Sequence, residues 1–97
     1  MIRVVILGAT GYTGIELIRL LLNHDKVKIQ AASSRQWAGS SASSLFPYIS
    51  NQNDFPIKSI DQLMTNPETD YAFLALPHGE SFNVIRPLLD KGIKVID

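Results

Sequence analysis

Three glycines at three-residue spacing, Gly8, Gly11 and Gly14, interrupt the stretch GATGYTGIELIRLLL directly after the apolar run at residues 4–7. A backbone needs bare positions of this kind when something must come very close to it. Gly8 makes a tight turn out of a strand, Gly11 permits the approach of a ligand, and Gly14 lets the following helix pack tightly on that first strand. The unpaired amides of a helix's first turn and the positive end of its dipole then hold an anion. The predicted chemistry is binding of a dinucleotide pyrophosphate. A mononucleotide P-loop is excluded, since no Gly-Lys-Ser/Thr follows. The spacing is GxxGxxG rather than GxGxxG, a variant the same mechanics allow, and the competing reading leaves the three glycines to a turn and a helix contact alone.

About 20 residues beyond such a turn, the end of the second strand reads the adenosine ribose: a carboxylate accepts from a 2′-hydroxyl, whereas an arginine accommodates a 2′-phosphate. This chain has Ala32-Ser33-Ser34-Arg35 there, without an acid. Ser34 can donate to a phosphate and Arg35 can grip it with two parallel N–H bonds, so NADP is expected over NAD. Against this stands Arg35 as a plain solvated loop residue. The turn Ala75-Leu76-Pro77-His78-Gly79 is expected to approach the nicotinamide half. His78, between Pro and Gly, reads better as a turn residue than as an acid or base, and His24 sits near a helix end whose dipole it tolerates. Trp37, Phe46 and Tyr48 are expected to pack beneath a long loop rather than to stack on bases.

The elements that must position these residues alternate. Residues 3–7 form a continuous apolar, β-branched run, as in a strand covered on both faces. Residues 12–24 switch to helical period, with Ile15, Ile18 and Leu22 on one face, Leu21 beside them, and Glu16, Arg19 and Asn23 opposite. A second strand follows at 27–32. Residues 36–55 are rich in Ser and Asn and read as an excursion with one short helix. A short strand is expected within 55–58, and Ser59 with Gln62 forms a capping box for a short helix closed by Pro67. A buried-type strand at 70–76, a helix at 81–91 kinked by Pro87 and capped by Gly92, and a last strand at 93–96 complete the pattern. This is an α/β fold, a doubly wound parallel sheet of Rossmann type. It is expected to occupy residues 1–97 as one NAD(P)-binding domain and to be truncated, because an apolar last strand would leave an open sheet edge. That edge predicts association of copies, a homo-oligomer or aggregate, through backbone pairing.

Composition narrows the class. The 97 residues are 45% hydrophobic, with nine basic and nine acidic side chains, so neither a nucleic-acid nor a membrane partner is expected. The chain contains no cysteine, which excludes disulfides, thiolate metal sites and a cysteine nucleophile within it. The first apolar run is too short for a signal-peptide core, and a cytoplasmic location is expected.

Three segments, GATGYTGIELIRLLLNH, SSRQWAG and FLALPHGES, together resemble the N-terminal NADP-binding part of the N-acetyl-γ-glutamyl-phosphate reductase family, the arginine-biosynthesis branch of the semialdehyde dehydrogenase group. The resemblance spans essentially the whole chain. It implies an NADPH-dependent oxidoreductase in which a cysteine attacks an acyl-phosphate substrate, the thioester takes hydride, and a semialdehyde leaves, with a histidine as acid and base. The family's motif carries over as cofactor contacts at Gly8, Thr10, Gly11, Tyr12, Thr13, Gly14, Ser34, Arg35, Leu76 and Pro77. It carries over no catalytic residue and no metal ligand. Two other readings stay open on the residues alone: a stand-alone nucleotide-sensing module, and the nucleotide half of an extended short-chain reductase or epimerase, which also uses GATGxxG.

Overall fold

The computed structural model describes residues 1–77 and 79–97. Five parallel strands form one sheet: β1 (Ile2–Leu7), β2 (Val27–Ser33), β3 (Ile57–Lys58), β4 (Tyr71–Leu74) and β5 (Lys94–Ile96), in the spatial order β3-β2-β1-β4-β5. The switch in direction of winding falls beside β1, which pairs β2 on one side and β4 on the other. Val4 to Leu7 are all buried, as a strand flanked and covered on every side requires.

Alternation along β1 divides the core in two. Val4 and Ile6 join Ile18 of α1 (Tyr12–Leu22) together with Ala42, Ile49, Phe55 and Ile57. Val5 and Leu7 join Leu63 of α3 (Ile60–Thr65) and Val84 and Leu88 of α4 (Phe82–Asp90). Helices thus cover both faces, the doubly wound arrangement expected from the sequence. One extra residue, Gln30, breaks the β1/β2 register between Val4 and Val5.

Several details depart from expectation. The buried stripe of α1 is Gly14 and Ile18, flanked by Leu17, Leu21 and Leu22. Ile15 is 39% exposed, because Gly14 rather than Ile15 faces the turn before it. The helix ends at Leu22, two residues early. The amides of Asn23 and His24 bond three residues back to Leu20 and Leu21, and the Asn23 side chain donates to the Arg19 carbonyl. β4 ends at Leu74 rather than 76: Ala75 makes one last amide bond to the Leu7 carbonyl, 2.8 Å, and the chain then leaves the sheet.

The excursion at 36–55 holds the short helix α2 (Ala42–Leu45) and a single 3₁₀ turn (Asn51–Asn53). Phe46 packs against the core as expected, but Trp37 and Tyr48 are exposed, since the loop lays Ala42, Ile49 and Phe55 inward instead. Asp54 clamps it by accepting from the Ser43 hydroxyl and amide and from the Phe55 amide, at 2.7, 2.9 and 2.9 Å. The Ser43 hydroxyl, chief among these donors, holds the Asp54 carboxyl below the usual carboxylate range. The Ser59–Gln62 capping box is present with both bonds at 3.1 Å, and Pro87 lies inside α4.

Candidate functional site

The turn joining β1 to α1 is shaped by its glycines in three different ways. Gly8 has φ +98°, and a Cβ there would lie 2.4 Å from the Ala75 carbonyl oxygen, so both conformation and contact demand glycine. A Cβ on Gly14 would fall 1.9 Å from the Gly8 carbonyl oxygen: the helix is pressed onto the turn itself, closer in than the strand contact expected. Gly11 is neither strained nor crowded, with φ −79° and nothing within 4 Å of its Cβ position. It faces open space at the N-terminus of α1.

That terminus has no side-chain cap and no acid in its first turn. The first intrahelical bond runs from the Ile15 amide to the Gly11 carbonyl, 2.9 Å, so the amides of Tyr12 and Thr13 precede the helical ladder. Uncapped donors at the positive end of a dipole are arranged to receive an anion. Ser33 holds the turn in place from the neighbouring strand: its hydroxyl accepts from the Gly8 amide at 3.0 Å, and its carbonyl accepts from the Ala9 amide at 2.7 Å.

Beyond Ser33, Ser34 is buried, and its hydroxyl oxygen accepts from the Trp37 amide at 3.2 Å. Its proton is therefore left to donate toward Thr10, whose hydroxyl lies 3.5 Å away, or into the cavity. Arg35 next to it is 87% exposed, and its guanidinium donates to Glu80 at 3.0 Å.

These residues border an open cavity of about 1120 Å³ at the carboxyl ends of the strands, the crevice where ligands of doubly wound sheets bind. Gly8, Thr10, Gly11, Tyr12 and Thr13 of the glycine turn, Ser34 and Arg35 after β2, and Leu76 and Pro77 after β4 all line it. Gly14 does not reach it. His78, considered above as an acid or base, lies outside the described residues. The excursion at 36–55 contributes nothing to the lining.

Two walls went unread in the sequence. Ile60 and Met64 face the cavity from α3 and Asn83 and Pro87 from α4, each pair at i, i+4 spacing, a periodic signal that two short helices carry only faintly. Glu80 also lines the cavity. No local pattern announces it, because Arg35 and Glu80 meet only through the fold.

Residues 3–97 match the family described as semialdehyde dehydrogenase, NAD binding domain. The chain is 43% identical over 96 residues to N-acetyl-γ-glutamyl-phosphate reductase of Pseudothermotoga lettingae and 43% identical over 97 residues to that of Heliobacterium modesticaldum. It spans 28% of the length of each of these curated relatives. Among solved structures, aspartate semialdehyde dehydrogenase with NADP from Candida albicans superposes with a TM-score of 0.73 at 21% identity, covering 98% of this chain and 28% of that one. Dipicolinate-bound dihydrodipicolinate reductase from Paenisporosarcina sp. TG-14 gives the same score at 20% identity, covering 98% of this chain and 36% of that one. At such identities these two likenesses speak for the fold.

Proposed function

The chain belongs to the semialdehyde dehydrogenase NAD-binding domain family, and on that premise we propose that it is the NADP-binding portion of an N-acetyl-γ-glutamyl-phosphate reductase. The complete enzyme would reduce an acyl phosphate to a semialdehyde in arginine biosynthesis, in the cytoplasm. The observation that carries the cofactor reading is the pairing of an uncrowded Gly11, beside uncapped helix amides, with Ser34 and Arg35 in the lining of the same cavity.

In this reading the Tyr12 and Thr13 amides hold the pyrophosphate, and the Gly11 position leaves it room. Ser34 donates its free hydroxyl proton, and Arg35 its guanidinium, to the 2′-phosphate. Leu76 and Pro77 support the nicotinamide half, which when bound supplies the hydride. Asp61 and Glu80 are the carboxylates among the described residues that line the cavity. With no cysteine among the 97 residues, the acyl-accepting thiol must come from outside them, so the chain by itself binds without turning over.

Calorimetric titration of the chain with NADPH and NADH tests this, with Arg35→Ala as the partner variant. NADPH should bind more tightly, and the variant should lose about 10- to 100-fold of that preference, the worth of a charge-assisted phosphate contact. Equal binding of the two nucleotides by the unaltered chain would overturn the NADP assignment.

A further inference from the structure

The end of β2 carries no acid, and on that ground the ribose site reads as built for a phosphate. A carboxylate nevertheless stands there, delivered by another loop. Glu80 Oε1 lies 3.0 Å from the terminal nitrogen of Arg35, and both residues line the cavity. The Glu80 amide donates to the Pro77 carbonyl at 3.0 Å, and Gly79 before it has φ +90°. Packing does not explain the pair, because the Arg35 side chain is 87% exposed and would otherwise extend into water.

Resting on the cofactor reading above, we propose that Glu80 sets nucleotide selectivity by occupying Arg35 in the free chain, where its carboxylate stands in for the 2′-phosphate that NADPH brings. Among the described residues that line the cavity, Arg35 is the cation and Asp61 and Glu80 are the anions. A phosphate arriving at Arg35 must therefore displace the carboxylate already bound there. NADH, with a hydroxyl at the 2′ position, makes no such demand. The clasp thus tempers the preference for NADPH that Arg35 creates.

Glu80→Gln keeps the size of the side chain and removes its charge, with Glu80→Ala as a second variant and circular dichroism as the check on folding. NADPH should bind about three- to fivefold more tightly to either variant, the scale of an exposed ion pair, while NADH affinity stays within about 1.5-fold. In an Arg35→Ala background the same substitution should change NADPH binding by less than about 1.5-fold, since nothing is left to displace. The gain should shrink as salt rises from about 0.05 to 0.5 M. Unchanged or weaker NADPH binding by both Glu80 variants overturns the proposal, as does an equal gain for NADH or a gain that persists in full without Arg35. If the unaltered chain binds neither nucleotide, the cofactor reading falls and the proposal with it. If it binds NADPH and the Glu80 variants are indifferent, the proposal falls alone.

Discussion

Alanine at Gly14 and alanine at Gly11 should break this protein in opposite ways. At Gly14 the new methyl group would meet the Gly8 carbonyl oxygen at 1.9 Å, with the Gly8 and Ala9 carbonyl carbons at 2.9 and 3.0 Å, against the 3.4 Å of an ordinary contact. The obstacle is backbone, so no rotamer change relieves it, and α1 or the turn must yield by roughly 1.5 Å in a close-packed interior. Overpacking of this kind costs up to about 3 kcal/mol, offset by about 1 kcal/mol because alanine favours the helix over glycine. A net loss of about 2 kcal/mol is expected, a sizeable share of the roughly 5 to 15 kcal/mol that holds a domain together. In urea it should lower the unfolding midpoint by about 1 to 2 M. At Gly11 a methyl group meets nothing within 4 Å. Losing glycine for alanine at a helix N-cap costs at most about 1 kcal/mol, but the methyl group fills the space through which a pyrophosphate would reach the amides, so NADPH affinity should fall at least about tenfold. Urea titration followed by fluorescence of Trp37, with calorimetry on the same samples, reads both effects. A Gly14→Ala chain as stable as the original, or a Gly11→Ala chain that binds NADPH undiminished, would refute the division of labour among the three glycines.

Pro87 interrupts α4 and denies the Asn83 carbonyl its helical partner, so Pro87→Ala should raise stability by about 1 to 3 kcal/mol in thermal melts; a fall in Tm would mean that the ring's place on the cavity wall outweighs the missing bond. Asp54 has its carboxyl held low mainly by the Ser43 hydroxyl, and Asp70 by the Arg3 amide and side chain. A lowered folded pKa adds stability above the unfolded value, about 4, and loses it as pH falls through the folded one. Urea midpoints should therefore drop on acidification below about pH 4, and Asp54→Asn should flatten that drop; an unchanged pH profile in the variant would dismiss the clamp.

The glycine turn was legible because most of its requirements are local: a positive φ at Gly8, an uncrowded approach at Gly11 and a close helix contact at Gly14 act within a few residues, and only the crowding of Gly8 by Ala75 comes from afar. The Ser59–Gln62 capping box was legible for the same reason. What the sequence obscured depends on how the elements are turned and packed against one another. Ile15 fits the apolar period of α1, yet the contact of Gly14 with the Gly8 carbonyl rotates the helix and leaves Ile15 in water. Trp37 and Tyr48 are large enough to seem core material, but Phe55, Ile49 and Ala42 took that space first. Glu80 is 45 residues from Arg35, and only the fold brings its carboxylate to the end of β2.

The contact between Gly8 and the Ala75 carbonyl has a consequence in time. β1, α1 and β2 are consecutive and can assemble with short loops to close, whereas β4 must return across more than 60 residues to lie beside β1. The glycine turn can form with the first group, whereas Leu76 and Pro77, on the loop after β4, reach the cavity only with the long-range pairing. The site is thus expected to be completed late in folding. A nucleotide that needs both sides finds nothing to bind until the sheet has closed, and so would slow unfolding far more than it hastens folding.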